Sequence, residues 1–247
     1  MNTNPGHIHI IGVGGIGTSA LAQYYLAKGH VVSGSDANQS EITDLLKEKG
    51  VRVFIGHEAE NIRGANLIIR TAAVKQDNPE YEAAKLERIP IKLYAEAMGE
   101  ITADYTLIAI SGSHGKSTTT AMVAKIMIDA ELDPTVIVGT KMHELGGNNF
   151  RKGNSEFFVL EADDYNRHFH HYFPTITVVT NIDREHLDIY KDIDGVKQAF
   201  AQFIANTKQG GTIIANGQDK NTVEVIRKVD LLKNQVVLYN ENELAKH

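Results

Sequence analysis

The sequence of 247 residues contains no cysteine. This absence excludes a disulfide framework, a thiolate metal site and a cysteine nucleophile. The sequence also contains no apolar run that approaches the roughly 20 residues needed to span a bilayer. The N-terminal stretch lacks the basic and apolar regions of a secretory signal. We therefore expect a cytoplasmic protein that does not insert into membranes.

Positive charge is not in excess either, since 25 basic residues stand against 31 acidic ones and the net charge is -6. A basic nucleic-acid surface is therefore not indicated, and no nucleic-acid partner is expected. Hydrophobic residues make up 42% and charged residues 23%, as is usual for globular domains. At roughly 100–200 residues per domain, the length allows one large domain or two small ones. The default expectation is a protein that handles a small molecule.

In the first half of the sequence, short runs rich in β-branched residues alternate with stretches of helical periodicity, which predicts an α/β fold with a parallel sheet covered on both faces. The pattern restarts near residue 105, so we predict two α/β units, residues 1–104 and 105–247. The predicted strands are 7–11, 30–36, 51–56, 66–73, 105–112, 135–139, 155–163, 175–182, 211–216 and 234–240. The predicted helices are 16–29, 40–50, 79–86, 116–131 and 192–211.

A first glycine-rich turn, Gly12–Gly17, fits the pattern G-x-G-x-x-G between a predicted strand and a predicted helix. Glycines permit close backbone approach, and the N-terminus of the helix offers free N–H groups to a diphosphate. Asp36 follows at about the distance at which an acid meets a ribose in dinucleotide sites. The motif alone favours NAD, but what it reports is a diphosphate and not a nicotinamide.

A second glycine-rich turn occupies residues 111–120, SGSHGKSTTT. Its Gly-Lys-Ser core is typical of a triphosphate site, in which Lys116 reaches the phosphates and a hydroxyl of Ser117 or Thr118 binds Mg²⁺. The spacing is the short G-x-x-G-K-S, because residue 110 is isoleucine where the longer general pattern has glycine.

Acidic and polar residues follow the next two predicted strands. Glu161 ends one strand, with Asp163 and Asp164 close behind, and Asn181 and His186 follow the other. Side chains at the carboxyl ends of parallel strands point into the ligand crevice of an α/β protein. Glu161 could therefore hold Mg²⁺, and His186 is a candidate second ligand or charge stabiliser.

Together these segments resemble the Mur ligase family, the ATP-dependent amide-forming enzymes of peptidoglycan synthesis. The segments that carry the resemblance are HIIGVGGIGTSALA (9–22), VVSGSD (31–36), SGSHGKSTTT (111–120), EADDYNRHF (161–169) and TNIDREHLD (180–188). The resemblance implies an N-terminal Rossmann-like parallel-sheet domain followed by a P-loop ATPase-like α/β domain that is incomplete.

The resemblance also implies the substrates UDP-N-acetylmuramate and L-alanine, with ATP and Mg²⁺ as cofactors. A γ-phosphoryl group would pass to the muramoyl carboxylate, and the amino acid would then attack the acyl phosphate. The residues implied at the UDP-sugar site are Gly14, Gly15, Ile16, Gly17, Thr18, Asp36, His57 and Thr71. Those implied at the ATP site are Gly112, Ser113, His114, Gly115, Lys116, Ser117, Thr118 and Asn181. The implied catalytic residues are Lys116, Glu161 and His186, and the implied metal ligands are Ser117, Glu161 and His186.

Three features depart from the family pattern. Arg70-Thr71 stands where paired serines are common, and Tyr94 replaces a basic residue. The sequence also lacks a G-x-H-N segment and the family's third domain, so we expect a fragment that binds its ligands without completing ligation. Three alternatives stay open: a ligase that recycles murein tripeptide, an NAD(P)-dependent oxidoreductase that uses the first turn, and a non-catalytic binding module.

Overall fold

The computed structural model describes residues 6–240, and the chain divides into two compact units, residues 1–98 and 99–247. The sequence-based boundary at 104/105 lies a few residues later and stays a prediction. Within the described part of the chain, no helix is both long enough and apolar enough to cross a bilayer.

The first unit is built on a sheet of five strands that all run parallel, in the order β3-β2-β1-β4-β5. Its strands are β1 (His7–Ile11), β2 (Val31–Asp36), β3 (Arg52–Ile55), β4 (Leu67–Arg70) and β5 (Ile91–Leu93). Its helices are α1 (Ile16–Ala27), α2 (Glu41–Glu48) and α3 (Pro79–Leu86), and α4 (Tyr94–Thr102) contains the division between the units. This is the predicted Rossmann-like arrangement.

Local chemistry explains where these helices begin. Ser40 caps α2 through a reciprocal capping box with Thr43. Asn78 caps α3 by accepting hydrogen bonds from two backbone N–H groups, and Pro79 occupies the first helical position. The turn after β1 packs closely against β2 at Gly34, where a side chain would not fit. A Cβ at this position would lie 2.6 Å from Cβ of Val13.

The second unit contains a seven-stranded mixed sheet in the order β12-β11-β10-β6-β9-β7-β8. Its strands are β6 (Thr106–Ser111), β7 (Thr135–Met142), β8 (Asn148–Arg151), β9 (Phe157–Glu161), β10 (Ile176–Val179), β11 (Thr212–Asn216) and β12 (Gln235–Tyr239). Its helices are α5 (Lys116–Asp129), α6 (Leu187–Tyr190), α7 (Ile193–Ala205) and α8 (Lys220–Lys228).

One edge of this second sheet departs from the parallel arrangement of its other strands. β8 runs antiparallel to β7, and neither β8 nor α8 was predicted. β8 is short and has one apolar residue, so it shows no alternation by which a strand is recognised. α8 has its apolar residues on one face and a capping aspartate, Asp219, so its pattern is present in the sequence although the prediction omits it. The strands and helices that were predicted are all present, and most of their ends lie within three residues of the predicted ones.

Both sheets place one strand at a switch point of the chain. β1 lies between β2 and β4, and β6 lies between β10 and β9. Buried aliphatic side chains fix these strands in each core, such as Ile11 and Ile68 in the first unit and Ile110 and Val159 in the second. A crevice forms at the carboxyl end of such a strand, and each glycine-rich turn begins there.

Candidate nucleotide-binding sites

A cavity of about 470 Å³ lies beside the first glycine-rich turn. The residues that line it come from the ends of several strands and the segment before α3, and they are Gly12, Gly15, Asp36, Ala37, His57, Thr71, Ala73, Val74, Lys75, Asp77 and Asn78. Four residues of the predicted sugar-nucleotide site, Gly15, Asp36, His57 and Thr71, are therefore brought together. Lys75 adds a cation that the motif did not indicate.

The other four predicted residues of this site support the turn and do not line the cavity. The N–H of Gly14 donates to Oδ2 of Asp36 at 2.9 Å. The hydroxyl of Thr18 donates to the carbonyl of Gly12 at 2.6 Å, which closes the turn. Gly17 lies against the ring of Tyr94, and Ile16 begins α1.

A buried polar cluster lies behind His57 and was not anticipated from the sequence. Its centre is Glu80 of α3, whose side chain has no exposed surface. Oε2 of Glu80 accepts a hydrogen bond from the hydroxyl of Ser35 at 2.5 Å and lies 3.0 Å from Nδ1 of His57. Oε1 accepts from the side-chain amide of Asn61 at 2.7 Å.

The second glycine-rich turn connects β6 to α5. Gly115 is the N-cap residue of α5 and adopts a left-handed conformation (φ 81°), which glycine tolerates without strain. The ammonium of Lys116 donates to the carbonyls of Gly112 at 2.7 Å and Ser113 at 3.2 Å. Its Nζ also lies 2.9 Å from Oδ1 of Asp164. The lysine is therefore held directly over the turn.

Ser117 and Glu161 meet at the same edge of the sheet. The hydroxyl of Ser117 donates to Oε1 of Glu161 at 2.9 Å, and the N–H of Gly139 donates to Oε2 at 2.6 Å. A hydroxyl and a carboxylate in contact are oxygen donors of the kind that Mg²⁺ prefers.

The loop after β10 holds the turn in place. The N–H of His114 donates to the side chain of Asn181 at 2.9 Å, and the amide of Asn181 donates back to the carbonyl of His114 at 3.0 Å. Ser113 bonds the backbone of Asp183 in the same way. Asn181, which the resemblance places at the nucleotide, makes hydrogen bonds in this structure to the second glycine-rich turn and supports it.

A second acidic cluster lies on the other side of Lys116. One ligand atom each from Asp164, Glu185 and His186 lie within 4.8 Å of one another. Asp164 is completely buried, and neither of its carboxylate oxygens accepts a well-directed hydrogen bond. Such a carboxylate is costly unless a cation compensates it. The three predicted metal ligands therefore fall into two groups. His186 lies with Asp164 and Glu185, and Ser117 contacts Glu161.

Neighbouring groups shift two ionisations near this cluster. Burial alone would raise the pKa of Asp163, but hydrogen bonds from His168 and from the N–H of Tyr165 outweigh it and lower that pKa. Burial, together with the charge of Asp164, raises the pKa of Tyr190 to about 12. The hydroxyl of Tyr190 donates to the backbone carbonyl of Asp164. Tyr190 is therefore a neutral support of the loop that carries Asp164.

With two glycine-rich turns, each at the switch point of its own α/β unit, the chain belongs to the Mur ligase family. The family model for the catalytic domain matches residues 7–106, and the model for the middle domain matches residues 110–247. Members of this family are ATP-dependent ligases.

Among its relatives is the UDP-N-acetylmuramate–L-alanine ligase of Clostridium botulinum, which is 44% identical over 98% of this chain and 52% of its own length. The solved UDP-N-acetylmuramate-alanine ligase of Thermotoga maritima has a TM-score of 0.80 at 32% identity, over 94% of this chain and 53% of its own. The UDP-N-acetylmuramate:L-alanyl-gamma-D-glutamyl-meso-diaminopimelate ligase of Neisseria meningitides has a TM-score of 0.87 at 26% identity, over 94% and 77%. The chain spans about half the length of the curated relatives it matches.

Proposed function

We propose that this chain supplies the sugar-nucleotide site and the Mg·ATP site of a ligase that joins L-alanine to UDP-N-acetylmuramate. The observation that carries the proposal is the arrangement of Lys116, Ser117 and Glu161 around one glycine-rich turn. The names of the 44% identical relatives support the choice of substrates. Because ATP and nucleotide sugars are cytoplasmic, the proposed activity belongs in the cytoplasm.

In the first unit, the cavity beside Gly12 and Gly15 would take the diphosphate of UDP-N-acetylmuramate. The N-terminus of α1 offers a partial positive charge to that diphosphate. Lys75 contributes a full positive charge at the same cavity. Asp36 and His57 are then left for the uridine part, in keeping with the polar hydrogen-bonding groups that they present.

In the second unit, the turn from Gly112 to Ser117 would surround the triphosphate of ATP. Lys116 would leave the carbonyls of its own turn and pair with the phosphates. Ser117, Glu161 and His186 are the proposed metal ligands, and Asp164 and Glu185 lie beside His186 with oxygens suited to the same cation. When bound, Mg²⁺ neutralises charge on the phosphate oxygens.

The proposed reaction needs no side-chain nucleophile. The carboxylate of UDP-N-acetylmuramate attacks the γ-phosphorus, and the amine of L-alanine then attacks the resulting acyl phosphate. Phosphoryl transfer of this kind depends mainly on positioning and on stabilisation of charge, both of which Lys116 provides. Glu161 and His186 are proposed to act by holding the metal at the transferred group.

Calorimetric titration tests both sites separately. UDP-N-acetylmuramate and Mg·ATP should each bind, and NADH should not. Lys116→Ala should abolish ATP binding and leave UDP-N-acetylmuramate binding unchanged, since the lysine belongs to the second unit. NADH binding without UDP-N-acetylmuramate binding would instead establish the dehydrogenase alternative, for which the second turn has no role.

We further propose that the chain does not complete ligation by itself, because it spans only half of its curated relatives. The test is phosphate release by this exact chain. Release that depends on both UDP-N-acetylmuramate and L-alanine would contradict the proposal. Replacement of L-alanine by the murein tripeptide, in an assay of a protein that does turn over, would separate the two ligase alternatives.

A further inference from the structure

The buried carboxylate of Glu80 has no permanent cation beside it. Within the described part of the chain, the basic groups within 4 Å of its oxygens are two imidazoles, those of His57 at 3.0 Å and His9 at 3.6 Å. Burial would raise the pKa of Glu80, but the nearby imidazole of His9 and the hydrogen bonds from Ser35 and Asn61 outweigh it and lower that pKa. Glu80 is therefore ionised at neutral pH, and every group that touches it acts as a donor.

This condition fixes the position of the proton on His57. Nδ1 of His57 lies 3.0 Å from Oε2 of Glu80 and 3.1 Å from the hydroxyl oxygen of Ser35. The single hydroxyl proton of Ser35 is directed to Oε2 of Glu80, at 2.5 Å. Nδ1 thus faces two oxygens that have no proton to give it. A favourable contact requires that Nδ1 carry the proton itself.

A chain of polar contacts that includes His9 lies on the far side of the carboxylate. The hydroxyl of Ser33 lies 2.8 Å from Nδ1 of His9 and 2.7 Å from Nε2 of His7. If Ser33 donates to His9, the remaining proton of His9 is on Nε2, which faces Oε1 of Glu80. The carboxylate itself is held beside His57 by the hydrogen bonds that Ser35 and Asn61 donate to its two oxygens.

We propose that Glu80 is a positioning residue that locks His57 in the Nδ1–H tautomer, so that Nε2 of His57 accepts a hydrogen bond from the uridine part of the sugar nucleotide. The inference rests on the proposed function of the first unit. His57 lines the cavity and a quarter of its side chain is exposed. With Nδ1 engaged inward, Nε2 is the ring nitrogen that a ligand can reach.

The tautomer determines which ligand atoms His57 can recognise. An unprotonated Nε2 accepts from an N–H or O–H group, and it repels phosphate oxygens, which are themselves acceptors. A uridine offers donors of two kinds, the imide N–H of uracil and the two ribose hydroxyls. His57 would thus select for the nucleoside, while the glycine-rich turn binds the diphosphate.

Nitrogen-15 NMR of the imidazole rings tests the tautomer directly, without any ligand. In the wild-type protein, at a pH where the imidazole ring is neutral, His57 should show a protonated Nδ1 and an unprotonated Nε2. Glu80→Gln should shift this ring toward the other tautomer, because a carboxamide has one acceptor oxygen where the carboxylate has two. The matched control is Glu82→Gln, an exposed glutamate of the same helix, and it should leave the spectrum unchanged. A neutral wild-type ring that carries its proton on Nε2 would overturn the proposal.

Titration with UDP tests the link to binding. Glu80→Gln should weaken UDP binding by about three- to tenfold, the value of one hydrogen bond, and should have little effect in the His57→Ala background. UDP methylated at N3, or 2′-deoxy-UDP, should bind the wild type more weakly and lose that disadvantage in His57→Ala. Equal losses from Glu80→Gln in both backgrounds, or no coupling of either analogue to His57, would contradict the inference. Failure of UDP to bind the wild type would overturn the proposed function as well, and the NMR result distinguishes the two cases.

Discussion

The contact between Lys116 and Asp164 matters most at the scale of single residues. The ammonium is mostly buried, with 16% of its side chain exposed, and the carboxylate is entirely buried. Removal of one partner from a buried pair leaves an uncompensated charge, which costs far more than the net value of the pair. The lysine of the phosphate loop is therefore also a structural residue.

This double role gives a prediction about stability in the absence of nucleotide. Lys116→Met should lower the free energy of unfolding by about 3 kcal/mol, because Asp164 is left without its cation. Asp164→Asn in the same background should restore most of the loss, since a neutral amide needs no cation. Urea unfolding of the single and double variants measures both effects. Equal stability of Lys116→Met and wild type would show that the pair has no net coupling.

Tyr190 gives a prediction about alkaline pH. Its pKa is raised to about 12 in the folded protein from 10.0, so stability that it contributes is complete below pH 10 and is lost as the pH rises toward 12. A shift of this size corresponds to about 2–3 kcal/mol. Unfolding measured from neutral to alkaline pH should show this loss in the wild type and not in Tyr190→Phe. Tyr165→Phe, which alters a more exposed ring, is the control and should follow the wild type.

Residues with a motif around them could be predicted, and residues defined by a tertiary contact could not. Lys116, Ser117 and Glu161 follow from the spacing of the second turn and from the end of a strand. Nothing local marks Glu80, because its partners His9 and His57 lie on other strands and loops far away in sequence. A buried charge is recognisable only once the groups that compensate it are in place.

Helix α8 shows how one side chain can serve both an element and a site. Asp219 is its N-cap residue, and Oδ1 accepts from the N–H and hydroxyl of Thr222 at 2.8 and 2.6 Å. The same oxygen accepts from the N–H of Ile182 at 3.1 Å, in the loop that supports the phosphate turn. Loss of this cap should therefore also loosen the loop at Ile182.

A matched pair of cap deletions tests this at the scale of elements. Ser40→Ala removes the cap of α2 in the first unit and should cost about 1 kcal/mol of unfolding free energy. Asp219→Ala should cost somewhat more, about 2 kcal/mol, and should also weaken ATP binding by loosening the loop at Ile182. Thermal unfolding and calorimetry of both variants provide the comparison. An unchanged ATP affinity in Asp219→Ala would show that the loop does not depend on the cap.

The elements that the sequence patterns did not predict, such as β5, β8 and α8, have nine residues or fewer. Helix α3 was predicted at Pro79–Leu86 and begins and ends there. β8, with the sequence NNFR, has too few apolar residues to show alternation, and its place at a sheet edge requires none. β5 has three residues and was missed for the same reason.

At the scale of the whole chain, the two sites lie in different units and should respond to different ligands. UDP should slow amide hydrogen exchange around Gly12–Gly15 and α1, and Mg·ATP should slow it at residues 112–117 and α5. At 100 times its dissociation constant, each ligand should stabilise the native state by about 2.7 kcal/mol. Hydrogen exchange with mass spectrometry measures the location of each effect. Protection of residues 112–117 by UDP alone would show that the nucleotide sugar binds in the second unit, contrary to the proposal.

The carbonyls of Gly112 and Ser113 that receive the ammonium of Lys116 have a consequence for affinity. An arriving triphosphate does not meet an unengaged lysine but competes with an internal ligand that already satisfies it. The binding free energy that Lys116 contributes is therefore only the difference between its interaction with the phosphates and its interaction with these carbonyls. If the loop binds a nucleotide as proposed, it should therefore release that nucleotide readily.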